Sequence, residues 1–100
     1  MGMGIGEFYV SKHALRRLKE RWPLAKSMAR RELIQYLASS IESAREKNLL
    51  VKAPGGTYMP FKLGDEEGFV VTREDCIVTV VPKEWAPEVT SFLENLNGSI

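Results

Sequence analysis

"LLVKAPGGTYMPFKLGDEEGFVVTREDCIVTVVP", residues 49–82, is the stretch whose reading decides the fold. Upstream of it apolar residues recur at three- and four-residue spacing, whereas inside it they alternate or form short runs, the mark of strands. Four extended segments stand out: LLVKA (49–53), TYMPFKL (57–63), GFVVT (68–72) and CIVTVV (76–81). PGG (54–56), GDEEG (64–68) and RED (73–75) are turn-forming clusters between them. Connections this short predict an antiparallel meander. Pro60 lacks a backbone donor, so its strand belongs at an edge or carries a bulge. Met59, Phe61 and Leu63 share one face of that strand, and Tyr58 and Lys62 the other.

Working outward, EFYV (7–10) reads as a short first strand and Ser11 as the N-cap of a first helix. That helix ends at Trp22, because Pro23 disfavours the α conformation of the residue before it. A second helix, capped by Ser27, runs to about Lys47 on the stripe Leu33/Ile34, Leu37, Ile41 and Ala44, with Asn48 as a left-handed stop. Arg30 and Arg31 fall in its first turn, where the helix dipole disfavours cations. Downstream, Pro87 opens a last helix with an apolar face of Val89, Phe92, Leu93 and Leu96. Trp85, between Pro82 and Pro87, reads as a packing anchor for it. The order β-α-α-β-β-β-β-α predicts a single α+β domain over residues 1–100, two helices packed on a small antiparallel sheet.

Composition narrows the function classes. At 100 residues and 44% hydrophobic the chain can bury one core that leaves little room for a deep enclosed pocket, so an active site is expected in a groove or on a concave sheet face. The lone Cys76 makes no intramolecular disulfide, and no Cys/His pair offers a metal framework. The opening MGMGIGEF lacks the basic and apolar regions of a signal peptide, and no apolar run is long enough to cross a bilayer. A cytoplasmic protein with no membrane partner and no cofactor is expected. The net charge of +1 hides a division. Residues 1–31 carry eight cations against Glu7 and Glu20, hence +6, and residues 32–100 carry six cations against eleven acids, hence −5. Such asymmetry points to an anionic partner, nucleic acid above all, or to docking of the basic end on the chain's own acidic part or on an acidic protein.

The positive charge is densest in SKHALRRLKERWP (11–23), which holds the one histidine beside Lys12, Arg16, Arg17, Lys19 and Arg21. On a helical wheel Ala14, Leu15, Leu18 and Trp22 take one side and His13, Arg16, Arg17 and Glu20 the other, with Arg21 flanking. His13, Arg17 and Arg21 stand at i, i+4 and i+8 and so form one ridge. Arginine's planar fork matches phosphate oxygens, and an imidazole beside it can move protons near neutrality. RNA cleavage by its own 2′-hydroxyl needs little more than that. A plain solvated helix face with an Arg16–Glu20 pair accounts for the same pattern. Thr79 interrupts Ile77 and Val81 on one face of the last strand, where a hydroxyl satisfied within the sheet is the simple reading. Tyr58 and Lys62 could stack on and neutralise RNA, as a half-exposed strand also would appear. No phosphate-cradling glycine loop or nucleophile elbow is present.

SKHALRRLKER resembles the first helix of a group of small RelE-like domains, S-K-H-A-x-x-R-x-x-x-R after a short strand. His13, Ala14, Arg17 and Arg21 match position by position. CIVTVVP (76–82) is similar to the strand, with a central Thr, that closes the sheet in that group. The resemblance implies the fold shared by RelE-type toxins and barnase-like and colicin-type nucleases, and with it a metal-independent, toxin-type ribonuclease opposed by an antitoxin. His13 would then be the acid/base, Arg17 and Arg21 would hold phosphate, and Thr79 would touch substrate. Lys12, Arg16, Arg30, Arg31, Tyr58 and Lys62 would extend the contact with RNA, free or ribosome-bound. The other expectation is a non-catalytic binder of RNA or of a host protein on the same fold, such as a phage- or plasmid-type inhibitor.

Overall fold

The computed structural model describes residues 4–5 and 8–98. Its first helix, α1 (Lys12–Arg21), starts where expected: the Ser11 hydroxyl accepts the Ala14 amide at 3.0 Å. Ala14, Leu15 and Leu18 are buried on its inner side. The α2 helix (Arg30–Glu46) starts later than Ser27. Pro23 opens a 3-10 turn, Pro23–Ser27, that buries Ala25 and uses up the residues an earlier start would need. The Ser27 hydroxyl turns back to the Leu24 carbonyl, and Ala29 takes the cap position. Alanine has no acceptor to offer there, so only the Glu32 carboxylate, receiving the Ala29 amide at 2.9 Å, caps this end. Asn48, at φ 57°, ends the helix as expected. The Leu49 amide reaches Ala44 O and the Asn48 amide Arg45 O, the paired bonds of a left-handed helix stop.

Six strands among the described residues form one sheet: β1 (Gly4–Ile5), β2 (Phe8–Val10), β3 (Val51–Ala53), β4 (Gly56–Leu63), β5 (Glu66–Arg73) and β6 (Cys76–Pro82). Their spatial order is β1-β2-β6-β5-β4-β3. The meander β3 to β6 is antiparallel throughout. The expectation of a wholly antiparallel sheet is corrected by β2, which lies parallel to β6 with Tyr9 opposite Cys76 and Val10 opposite Ile77. Two helices and three strands separate those partners in the chain, so no hairpin dictates their direction. Strand β1 was not foreseen, and Glu7, the expected start of the first strand, lies outside the described residues. Pro60 does sit at an edge, since β3 pairs only with Gly56–Tyr58 and leaves the far half of β4 with β5 alone.

One face of the sheet carries the main core. Leu15, Leu18 and Trp22 of the α1 region and Leu33, Leu37 and Ile41 of α2 pack on Val10, Met59, Phe61, Val70, Ile77 and Val80. On the opposite face a smaller cluster, Val51, Phe69, Val89 and Leu93, seats α3 (Pro87–Gly98). Phe92 is half exposed instead of sharing that seat, and the Leu96 side chain lies outside the described residues. A bulge changes the reading of β6. Val71 faces Thr79 but Thr72 faces Ile77, so Val78 is the extra residue. Ile77 and Val80 therefore both enter the main core, and Thr79 turns to the opposite face with Val81. Thr79 therefore shares a face with Val81 but not with Ile77, contrary to the strict alternation expected of this strand.

Candidate functional site

Helix α1 follows directly from β2 and continues beside β6 past the point where β2 stops pairing. It covers the edge that β2 leaves open. The Ser11 hydroxyl donates to Val78 O at 3.4 Å, and Arg21 Nη1 donates to Val80 O at 2.6 Å. Trp22 closes the far end: its indole donates to Glu66 O at 3.1 Å and its ring meets Phe61 edge-on. Anchors at both ends of α1, the ridge residue Arg21 among them, thus hold the helix in a fixed orientation.

On the ridge, His13 is exposed and its Nε2 accepts a long hydrogen bond, 3.4 Å, from Arg17 Nε. The same guanidinium donates through Nη1 to Glu20 Oε1 at 2.7 Å. Arg17, not Arg16, is therefore the partner of Glu20, at i,i+3 and not i,i+4. That hydrogen bond, with the charges of Arg17, Arg16 and Arg21 behind it, holds the Glu20 carboxyl below its usual range. Arg21 sits half-buried at the ridge's end. Burial first, then the like charge of Arg17, lowers its pKa, but a guanidinium keeps its charge under physiological conditions.

Arg21 also brings in a residue that spacing misread. Its guanidinium carbon lies 4.3 Å from the centroid of the Trp85 ring, a cation–π contact. Trp85 follows β6 in a 3-10 turn (Lys83–Trp85) and is exposed, so it is no packing anchor for α3. Two flanking prolines made an anchor plausible, and only tertiary placement beside α1 reveals the contact. Glu20 likewise engages the central arginine of the ridge, a role that the expected pairing with Arg16 conceals.

The remaining candidates fall in three places. Thr79 stands on the α3-side face of β6, next in the chain to Val80, whose carbonyl holds Arg21. Among the described residues no hydrogen bond joins its hydroxyl to the ridge. Tyr58 and Lys62 are two strands further, about 10 Å across the sheet. Tyr58 is in register with Val71 and through it with Thr79, but its ring packs against Phe69 beneath α3. Lys62 is exposed at the rim of a cleft of about 490 Å³ between α2 and α3, near Lys47, Lys83 and the serines Ser39, Ser40 and Ser43. Lys12 and Arg16 are exposed on α1, and Arg30 and Arg31 on the first turn of α2. The structure thus joins His13 to Arg17, ties Arg21 one turn on to Val80 O and Trp85, and leaves Tyr58 and Lys62 apart from them.

Among the described residues no group of His, Cys, Asp and Glu is placed to hold a metal ion, and no helix is long and apolar enough to cross a membrane. In comparisons with known proteins, no family model, no curated protein and no solved structure matches the chain.

Proposed function

We propose that the α1 ridge handles RNA phosphodiesters and that the chain is a RelE-like, toxin-type ribonuclease needing no metal. The observation that carries this reading is the contact between His13 Nε2 and Arg17 on an exposed face, with Arg21 anchored one turn on. A bound phosphate competes for the Arg17 fork and frees Nε2. The imidazole then accepts the proton of the 2′-hydroxyl as O2′ bonds to phosphorus. It returns that proton to the 5′-oxygen as the P–O5′ bond breaks, leaving a 2′,3′-cyclic phosphate and a 5′-hydroxyl. Arg17 and Arg21 balance the charge gathered on the phosphorane oxygens. Thr79, Lys12, Arg16, Arg30 and Arg31 serve the flanking contacts, and Tyr58 and Lys62 only a strand long enough to cross the sheet.

The test is cleavage of a mixed, labelled RNA in EDTA by wild type and by His13→Ala. Cyclic-phosphate ends from wild type, with the rate reduced by roughly 10²–10⁴ in the mutant, are expected. A mutant as fast as wild type overturns the assignment of His13. A second reading, a non-catalytic RNA- or protein-binding inhibitor of phage or plasmid type, draws on a different observation. Both ridge arginines already have protein partners, Glu20 for Arg17 and Val80 O with Trp85 for Arg21. Intact RNA that nevertheless binds, or capture of an antitoxin or host protein lost on charge reversal at Arg17 and Arg21, favours it.

A further inference from the structure

Trp85 is 62% exposed, although an indole is among the side chains that gain most from burial. The Arg21 guanidinium covers one side of its ring, and the Val80 carbonyl holds that guanidinium at 2.6 Å. The exposure therefore belongs to the ring's opposite face and edges. The backbone that carries Trp85 is constrained: it closes a 3-10 turn between the end of β6 and the start of α3, with Pro82 and Pro87 on either side. A flat apolar surface is thus presented beside the last cation of the ridge and open to solvent.

We infer that Trp85 is a base-stacking platform at the end of the ridge, and that the ligand it selects is single-stranded RNA. This rests on the reading of the ridge as a phosphate-binding site and adds the part of the nucleotide that phosphate contacts leave free. Arg21 backs the indole on its far side, so an incoming base completes an Arg–Trp–base stack while its phosphate lies toward Arg17. Bases within a duplex have their faces covered by their neighbours and cannot enter such a stack. Stacking on an aromatic tolerates any base, so the platform confers preference for strandedness and little preference for sequence.

Binding of a short fluorescent 2′-O-methyl RNA tests this, because its blocked 2′-oxygen cannot attack phosphorus and the probe survives. Wild type should bind the single strand at least roughly tenfold more tightly than a blunt duplex of the same sequence, and Trp85→Ala should lose roughly tenfold for the single strand alone. Trp85→Phe should keep most of the affinity while abolishing quenching of tryptophan emission by the same RNA without its dye, because the remaining Trp22 is buried and out of reach of a stacking base. Equal single-strand affinity of wild type and Trp85→Ala, or equal affinity of wild type for both probes, overturns the stacking role alone. Failure of wild type to bind either probe overturns the RNA reading of the ridge, and the stacking role with it.

Discussion

Arg17 is the residue on which the ridge turns, because one guanidinium serves both His13 and Glu20. Glu20 draws it toward a protein partner and so competes with phosphate. Glu20→Gln should therefore tighten binding of single-stranded RNA by roughly two- to fivefold, measured by anisotropy at fixed salt. The pH dependence has a definite sign. The carboxyl is held below its usual range in the folded protein, so any stability from the pair is present above the ordinary glutamate range. It is lost as pH falls through the lowered value. A difference in melting temperature between wild type and Glu20→Gln should exist at neutral pH and close in acid. At this scale i,i+4 spacing makes the meeting of His13 and Arg17 legible in the sequence. The choice of Arg17 over Arg16 by Glu20 is not, because both spacings bring side chains together on a helix.

At the scale of elements, α2 begins against two local rules at once. Ala29 supplies no capping oxygen, and Arg30 and Arg31 place positive charge at the positive end of the helix dipole. Ala29→Ser restores the missing half of the cap and should stabilise the protein by about 1 kcal/mol in urea denaturation. Arg30→Gln and Arg31→Gln should each stabilise by about 0.3–1 kcal/mol and, if these cations contact RNA, weaken its binding and flatten its salt dependence. A gain in stability with unchanged RNA affinity would remove them from the interface. The apolar periods of α2 and of the meander were plain in the sequence, yet the start of α2 was misplaced. Ser27 is a good capping residue, and only the 3-10 turn begun by Pro23 diverts it. The face of Thr79 was hidden for a related reason: a bulge adds one residue to β6, and period-two counting has no means of sensing it.

For the molecule as a whole, the sheet separates two cores of unequal size. The larger unites β2, β4, β5 and β6 with α1 and α2, whereas the cluster beneath α3 holds four buried residues, two of them, Val89 and Leu93, from α3 itself. Sequence showed that α3 exists and is amphipathic, but which face of the sheet it covers depends on how distant strands assemble. The imbalance sets an order of opening. Leu37 is fully buried among α1, α2 and the sheet, and Leu37→Ala should cost about 4 kcal/mol, near the upper part of the range for such a deletion. Leu93 borders solvent in the smaller cluster, and Leu93→Ala should cost about 2 kcal/mol. Amides of α3 should exchange with deuterium through a local opening, ahead of those of β5 and α2, and Leu93→Ala should widen that gap. The ridge lies along the edge of β6 and takes its anchors from Val78, Val80, Glu66 and Phe61, none of them in the cluster beneath α3. Loosening α3 by Leu93→Ala should therefore leave single-strand affinity within about twofold of wild type. A larger loss would mean that the turn carrying Trp85 depends on α3 for its position, and that the platform and the last helix act as one unit.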